Sequence, residues 1–217
     1  MRNLRQHRHR SNRSNAYSES KSSNTQSFNP YYSEFALIRA DRNPTTAITL
    51  STGQIIDVYE RPLRDTFIRP FTVADLETAL KMVPPKYLVD LERIVLFGGT
   101  KKQELTANRL FRDGAYYPGW NLIALYPFLL KQMEYNCFRF APHHLQEFRR
   151  SGVKIVQKRG KTFAQFDLES LKNYYLNIVL LHEIGHHVDW LRNRNKEEAR
   201  LSEEFAEWFS LKTGELG

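Results

Sequence analysis

Apolar positions recur at helical spacing across residues 168–192. Leu171, Tyr175, Ile178, His182, His186 and Asp189 fall on one stripe, and Leu176, Leu180, Ile184, Val188 and Leu191 make an apolar flank. That periodicity predicts one long, buried helix. Asp167 stands at its N-cap position and Glu169 in its first turn, where a negative charge meets the positive end of the helix dipole. A second helix is predicted over residues 197–211, ended by Gly214. Leu201, Phe205, Trp208 and Leu211 form its greasy stripe. Ala199, Glu203, Ala206, Glu207 and Ser210 form a small and acidic stripe beside it, one that lets the two helices approach closely.

Upstream the pattern changes to short apolar runs of strand type at 33–39, 47–50, 54–59 and 91–97, with Ser51-Thr52-Gly53 as a turn and Gly98-Gly99 as a stop. Residues 115–126 read as paired strands around Pro118-Gly119, a candidate edge for holding a peptide as an added strand. Its aromatics, Tyr116, Tyr117, Trp120 and Tyr126, suit either a groove or the core. Residues 153–157 and 161–166 form a hairpin around Lys158-Arg159-Gly160. Thr72 and Asp75 make a capping box for a helix that Pro84-Pro85 stops, and residues 142–148 suggest another helix. The fold class expected is α+β, a small mixed sheet packed on the two C-terminal helices. Residues 66–217 form the main domain and 31–65 an N-terminal β extension packed on it.

Composition changes this picture at one end. Residues 1–30 carry six basic residues against Glu19 alone, so five of the eight net positive charges fall there, among Ser and Asn. Such a segment buries too little apolar surface to offset its ordering entropy, and disorder is expected. It reads as a solubilising tail, an arm touching nucleic acid, or an organellar import segment. One cysteine excludes disulfide staples, and no apolar run reaches the roughly twenty residues of a membrane span. A cytoplasmic protein without a membrane partner is expected; oligomeric state is not legible.

The chemistry lies in Leu181-His182-Glu183-Ile184-Gly185-His186-His187. Four residues are slightly more than one helical turn, so His182 and His186 project from one face and grip one ion, expected to be Zn2+. Zinc held by neutral imidazoles lowers the pKa of a water towards about 7, and Glu183 beside it accepts the proton as a general base. His187 points about a quarter turn away and reads as structural or as a supporting group. A catalytic zinc takes a third protein ligand. No histidine follows His187, and Asp189 and Arg192 stand where the metzincin pattern requires Gly and His or Asp. The remaining donors are Asp189, Glu197, Glu198, Glu203, Glu204, Glu207 and Glu215. Position on the small stripe selects Glu203, with Glu204 its main rival. Glu207, one turn on, is placed to accept the outer N–H of His182 or His186. Asp189 lies too far round the helix to share the metal and is expected to hydrogen-bond.

His-Glu-Ile-Gly-His-His-Val-Asp followed by Glu-Glu-Phe-Ala-Glu-Trp-Phe resembles the gluzincin metallopeptidases, most closely the anthrax-lethal-factor-like domains and the small intracellular gluzincins. The resemblance covers residues 181–211 and, more weakly, 114–126. It implies a zincin-like fold, peptide-bond hydrolysis, a protein or peptide substrate, and a glutamate ligand at Glu203 within an E-x-x-A-E-x-F run. One departure stands out. Relatives place a Tyr or His near the metal to stabilise the oxyanion, whereas here the donor must come from Tyr174, Tyr175, an upstream Tyr, Arg192, Arg194 or Arg200, or be missing. The alternatives are a regulatory peptidase with one protein substrate, similar to the ImmA/IrrE family, and an inactive zinc-binding interaction protein.

Overall fold

The computed structural model describes residues 43–105, 113–136, 142–194 and 202–213. Strands β1 (Thr46–Thr49) and β2 (Ile55–Glu60) pair antiparallel, and Gly53 in the turn between them takes φ +82°, a conformation that suits a residue without Cβ. A two-residue strand, β3 (Phe67–Ile68), precedes α1 (Val73–Met82). The α1 capping box is complete: the Asp75 N–H donates to Thr72 Oγ1 at 3.2 Å, and the Thr72 N–H donates to Asp75 Oδ2 at 2.8 Å. The helix ends at Met82, before Pro84-Pro85. Strand β4 (Arg93–Leu96), the short α2 (Lys101–Leu105), β5 (Gly114–Tyr117) and β6 (Leu122–Leu125) follow.

The main sheet runs β1-β2-β4-β6-β5. Its centre is parallel, β2 to β4 to β6, with antiparallel β1 and β5 at its two ends. Central parallel strands are covered on both faces and therefore need continuous apolar runs. Ile94, Val95 and Leu96 of β4 are accordingly all fully buried. The protein is thus mixed α and β around a mixed sheet. The runs expected within an N-terminal extension at 47–50 and 54–59 supply β1 and β2 of this same sheet. The run at 33–39 and the arm at 1–30 lie outside the described residues.

Strand β7 (Phe128–Leu129) pairs with β3, and β8 (Glu134–Asn136) joins a second sheet of order β8-β10-β9 after β9 (Lys154–Lys158) and β10 (Lys161–Gln165) have followed α3 (Pro142–Arg150). The turn of that hairpin places Arg159 at φ +50° and Gly160 at φ +73°, as a two-residue connection between twisted strands requires. No helix among the described residues is long and apolar enough to cross a membrane.

The long helix expected over 168–192 is broken in the middle. It comprises α4 (Leu168–Tyr174), a π turn (Tyr175–Val179) and α5 (Leu180–Asn193). The Asp167 carboxylate accepts the Ser170 N–H at 2.8 Å as N-cap, with Glu169 in the first turn as expected. Within the π turn the Leu180 N–H donates to the Tyr175 carbonyl five residues back. The wider turn absorbs an additional residue, so the stripe drawn for an unbroken α-helix does not run straight through it.

Helix α6 (Glu203–Thr213) packs against α5 and the π turn. Its expected start at Glu197 lies outside the described residues, but Ser202 stands outside the helix and its hydroxyl accepts the Phe205 N–H at 3.1 Å. The greasy stripe expected through Trp208 is also corrected. Trp208 is 54 % exposed, whereas Ala206, Phe209 and Ser210 are buried. The small stripe, not the aromatic one, decides which side packs: an ideal Cβ on Gly185 would stand 2.8 Å from the Ala206 Cα. With Ala206 pressed on Gly185, helical periodicity turns Phe209 and Ser210 inward and Trp208 outward.

Candidate metal centre

One face of α5 carries His182 and His186, and their rings stand 4.7 Å apart at 87°. Glu203, the first residue of α6, reaches across: its Oε2 lies 3.3 Å from His182 Nε2 and 3.4 Å from His186 Nε2. The three donor atoms all fall within 4.8 Å of one another. Two links set this geometry. Gly185 permits the close helix contact, and Asp189 ties the start of α6 down, its Oδ2 accepting the Ser202 N–H at 2.9 Å while its Oδ1 accepts from Asn193 Nδ2 at 2.7 Å. Asp189 therefore hydrogen-bonds, as expected, and does so one residue from Glu203.

The donor set could hold a small cation. Tetrahedral N and O donors at about 2.0–2.1 Å from zinc stand roughly 3.3–3.4 Å from each other. Both Nε2–Oε2 separations match that edge. The Glu203 side chain is 75 % exposed, and an exposed carboxylate gains little from pairing with imidazoles. Burial holds His182 below its ordinary pKa, against the raising effects of Glu203 and Glu207. A neutral ring keeps a lone pair free for a metal.

Glu183 is buried, 6 % exposed, under the first residue of β5. An ideal Cβ on Gly114 would lie 2.7 Å from Glu183 Oε1 and 2.8 Å from Val179 Cγ1, so only glycine lets the end strand come this close. Glu207 sits where its charge raises both His182 and Glu147 of α3; burial and that charge together push Glu147 up to about 7. Glu204 is exposed and stands outside the donor cluster. Glu197, Glu198 and Glu215 lie outside the described residues.

His187 takes the supporting place expected of it. The Val89 carbonyl can only accept, so the 2.8 Å contact with His187 Nε2 makes that nitrogen the N–H, and Nδ1 accepts from the Tyr116 hydroxyl at 3.0 Å. Both ring nitrogens are thereby used. Replacing His187 with Phe strands the buried Tyr116 hydroxyl and is expected to cost about 1–3 kcal/mol in urea unfolding with metal stoichiometry unchanged. Loss of metal at unchanged stability would contradict this role.

The tyrosines considered for oxyanion stabilisation are engaged within the fold. Tyr174 Oη donates to Asp113 Oδ2 at 2.9 Å, and Tyr175 Oη to the Tyr126 carbonyl at 2.8 Å. Arg194 pairs with Asp90 at 3.3 Å, and Arg192 lies over the Phe205 ring. Arg200 lies outside the described residues. Asp113 itself escaped sequence reasoning. Burial pushes its carboxyl up to about 6, against the lowering effect of the Tyr174 hydrogen bond. Its only sequence signal is its place before Gly114.

No protein-family model, curated protein or solved structure matches this chain.

Proposed function

We propose that the chain is a zinc-dependent metallopeptidase of gluzincin type, with a zincin-like domain that hydrolyses a peptide bond of a protein or peptide substrate. One observation carries the reading: a single oxygen of Glu203 stands between the Nε2 atoms of two histidines in an H-E-x-x-H segment, at the spacing of tetrahedral ligands. His182, His186 and Glu203 would hold the ion. A zinc ion held there would supply a water of lowered pKa, towards about 7. Glu183, buried beneath Gly114, would be the general base, holding the proton of that water on its carboxylate and passing it to the leaving amine. Glu207, one turn from Glu203, supports the His182 imidazole electrostatically. β5 is the end strand of the sheet, and an extended substrate would add along it.

Metal analysis of purified wild type beside Glu203→Ala and Glu204→Ala tests this reading. One zinc per chain, lost with Glu203→Ala and retained with Glu204→Ala, is the expected result. Retention in both variants refutes Glu203 as a ligand, and absence of metal from wild type refutes the centre. One observation favours a second reading, a zinc-binding interaction protein without turnover: Tyr174 and Tyr175 spend their hydroxyls inside the fold. Digestion of a broad peptide library by the metal-loaded protein separates the two.

A further inference from the structure

A closed set of contacts lies behind Glu183. Tyr174 and Tyr175 are adjacent, and the π turn begins between them. Tyr174 donates to the Asp113 carboxylate at 2.9 Å and Tyr175 to the Tyr126 carbonyl at 2.8 Å. Those two targets are themselves joined, the Tyr126 N–H donating to the Asp113 carbonyl at 2.9 Å. The loop from Tyr174 through Asp113 and Tyr126 back to Tyr175 thus fastens the entry of β5 and the exit of β6 to one point on the helix. Gly114 is the next residue after Asp113, and its backbone presses on Val179, the last residue of the π turn, and on Glu183. A π turn at this point is rare in itself, and such turns concentrate at functional sites.

We infer that this clamp positions the general base: the Tyr174–Asp113 hydrogen bond, backed by Tyr175 and Tyr126, sets Gly114 against the Glu183 carboxylate and limits the directions it can take. Asp113 and Tyr174 are positioning residues, acting through Gly114, and the inference rests on the hydrolytic reading above. A general base must stand within hydrogen-bond reach of the proton it takes, and displacement of about 1 Å can cost on the order of a hundredfold in rate. The metal donors lie on α5 and α6, outside the clamp, so their affinity for the ion is separable from it.

The test compares wild type, Tyr174→Phe, Asp113→Ala and Asp113→Asn by steady-state kinetics, by zinc titration, and by hydrogen exchange at the Tyr126 amide. Tyr174→Phe and Asp113→Ala are expected to lower kcat about 10- to 100-fold with KM changed less than about threefold. Zinc affinity should stay within about twofold, and the Tyr126 amide should exchange about tenfold faster or more. Asp113→Asn keeps an oxygen for Tyr174 and should fall within about threefold of wild type in kcat. Unchanged kcat in Tyr174→Phe and Asp113→Ala overturns the inference, and so does Asp113→Asn as damaged as Asp113→Ala. Zinc affinity falling in step with kcat also overturns it, because the variants then act on the fold at large. A wild type that binds zinc and cleaves nothing removes the hydrolytic reading instead; exchange at Tyr126 then decides alone whether the clamp exists, and equal rates in all four proteins deny it.

Discussion

Glu183→Gln is expected to lower kcat by about 10²–10⁴-fold while the protein binds one zinc as wild type does. Glutamine preserves the size of the side chain, and Glu183 sits in a slot where size is constrained, against the Gly114 backbone and Val179. Folding and metal ligation should therefore survive. What is removed is the capacity to accept a proton, since the amide is not a base at neutral pH. Positioned general bases contribute about 10²–10⁴ in rate, and the expected loss in kcat falls in that range with little change in KM. Because Glu183 is not among the donor atoms clustered at Glu203, metal content serves as the internal control. Cleavage at the wild-type rate would sink the assignment of Glu183. Loss of the metal together with activity would place Glu183 in ligation instead.

Legibility in the sequence followed the range of the forces involved. The pairing of His182 with His186 depends only on the pitch of a helix, so spacing alone reveals it. The capping of α1 by Thr72 and of α4 by Asp167 is equally local. Glu203 was accessible by elimination, because carboxylates are the remaining ligand type after His187. The π turn was not accessible. It exists among tertiary partners, the Tyr174–Asp113 and Tyr175–Tyr126 contacts, which join residues 61 and 49 apart in sequence. The Trp208–Phe209 exchange has the same cause. Counting aromatics on a helical wheel favours Trp208 for burial, but the inward side of α6 is chosen by the Gly185–Ala206 contact, a property of two helices and not of one. Likewise the reach of Glu183 to Gly114 reflects strand order, which puts β5 beside α5.

That helix contact yields the other large effect. Gly185→Ala and Gly185→Val form a graded series at a position where the added carbon meets backbone: an ideal Cβ would lie 2.8 Å from the Ala206 Cα, 3.2 Å from its carbonyl oxygen and 3.2 Å from the Phe209 Cβ. None of these atoms can rotate away. Alanine recovers about 1 kcal/mol of helix propensity, so its net cost is the smaller. Valine adds bulk without the same gain, and overpacking of this kind costs about 1–3 kcal/mol. The consequence for the site exceeds that for stability. α6 must shift outward to relieve the contact, and Glu203, its first residue, leaves a position defined by separations of 3.3 and 3.4 Å. Zinc affinity is expected to fall several-fold for Gly185→Ala and by about two orders of magnitude for Gly185→Val, read by competition with a chromophoric chelator. Ala206→Gly added to Gly185→Val should restore little, since the obstructing atoms are the Cα and carbonyl oxygen that glycine also possesses. Full recovery of zinc affinity in that double variant would mean that the methyl of Ala206, not the backbone beneath it, sets the distance between the two helices.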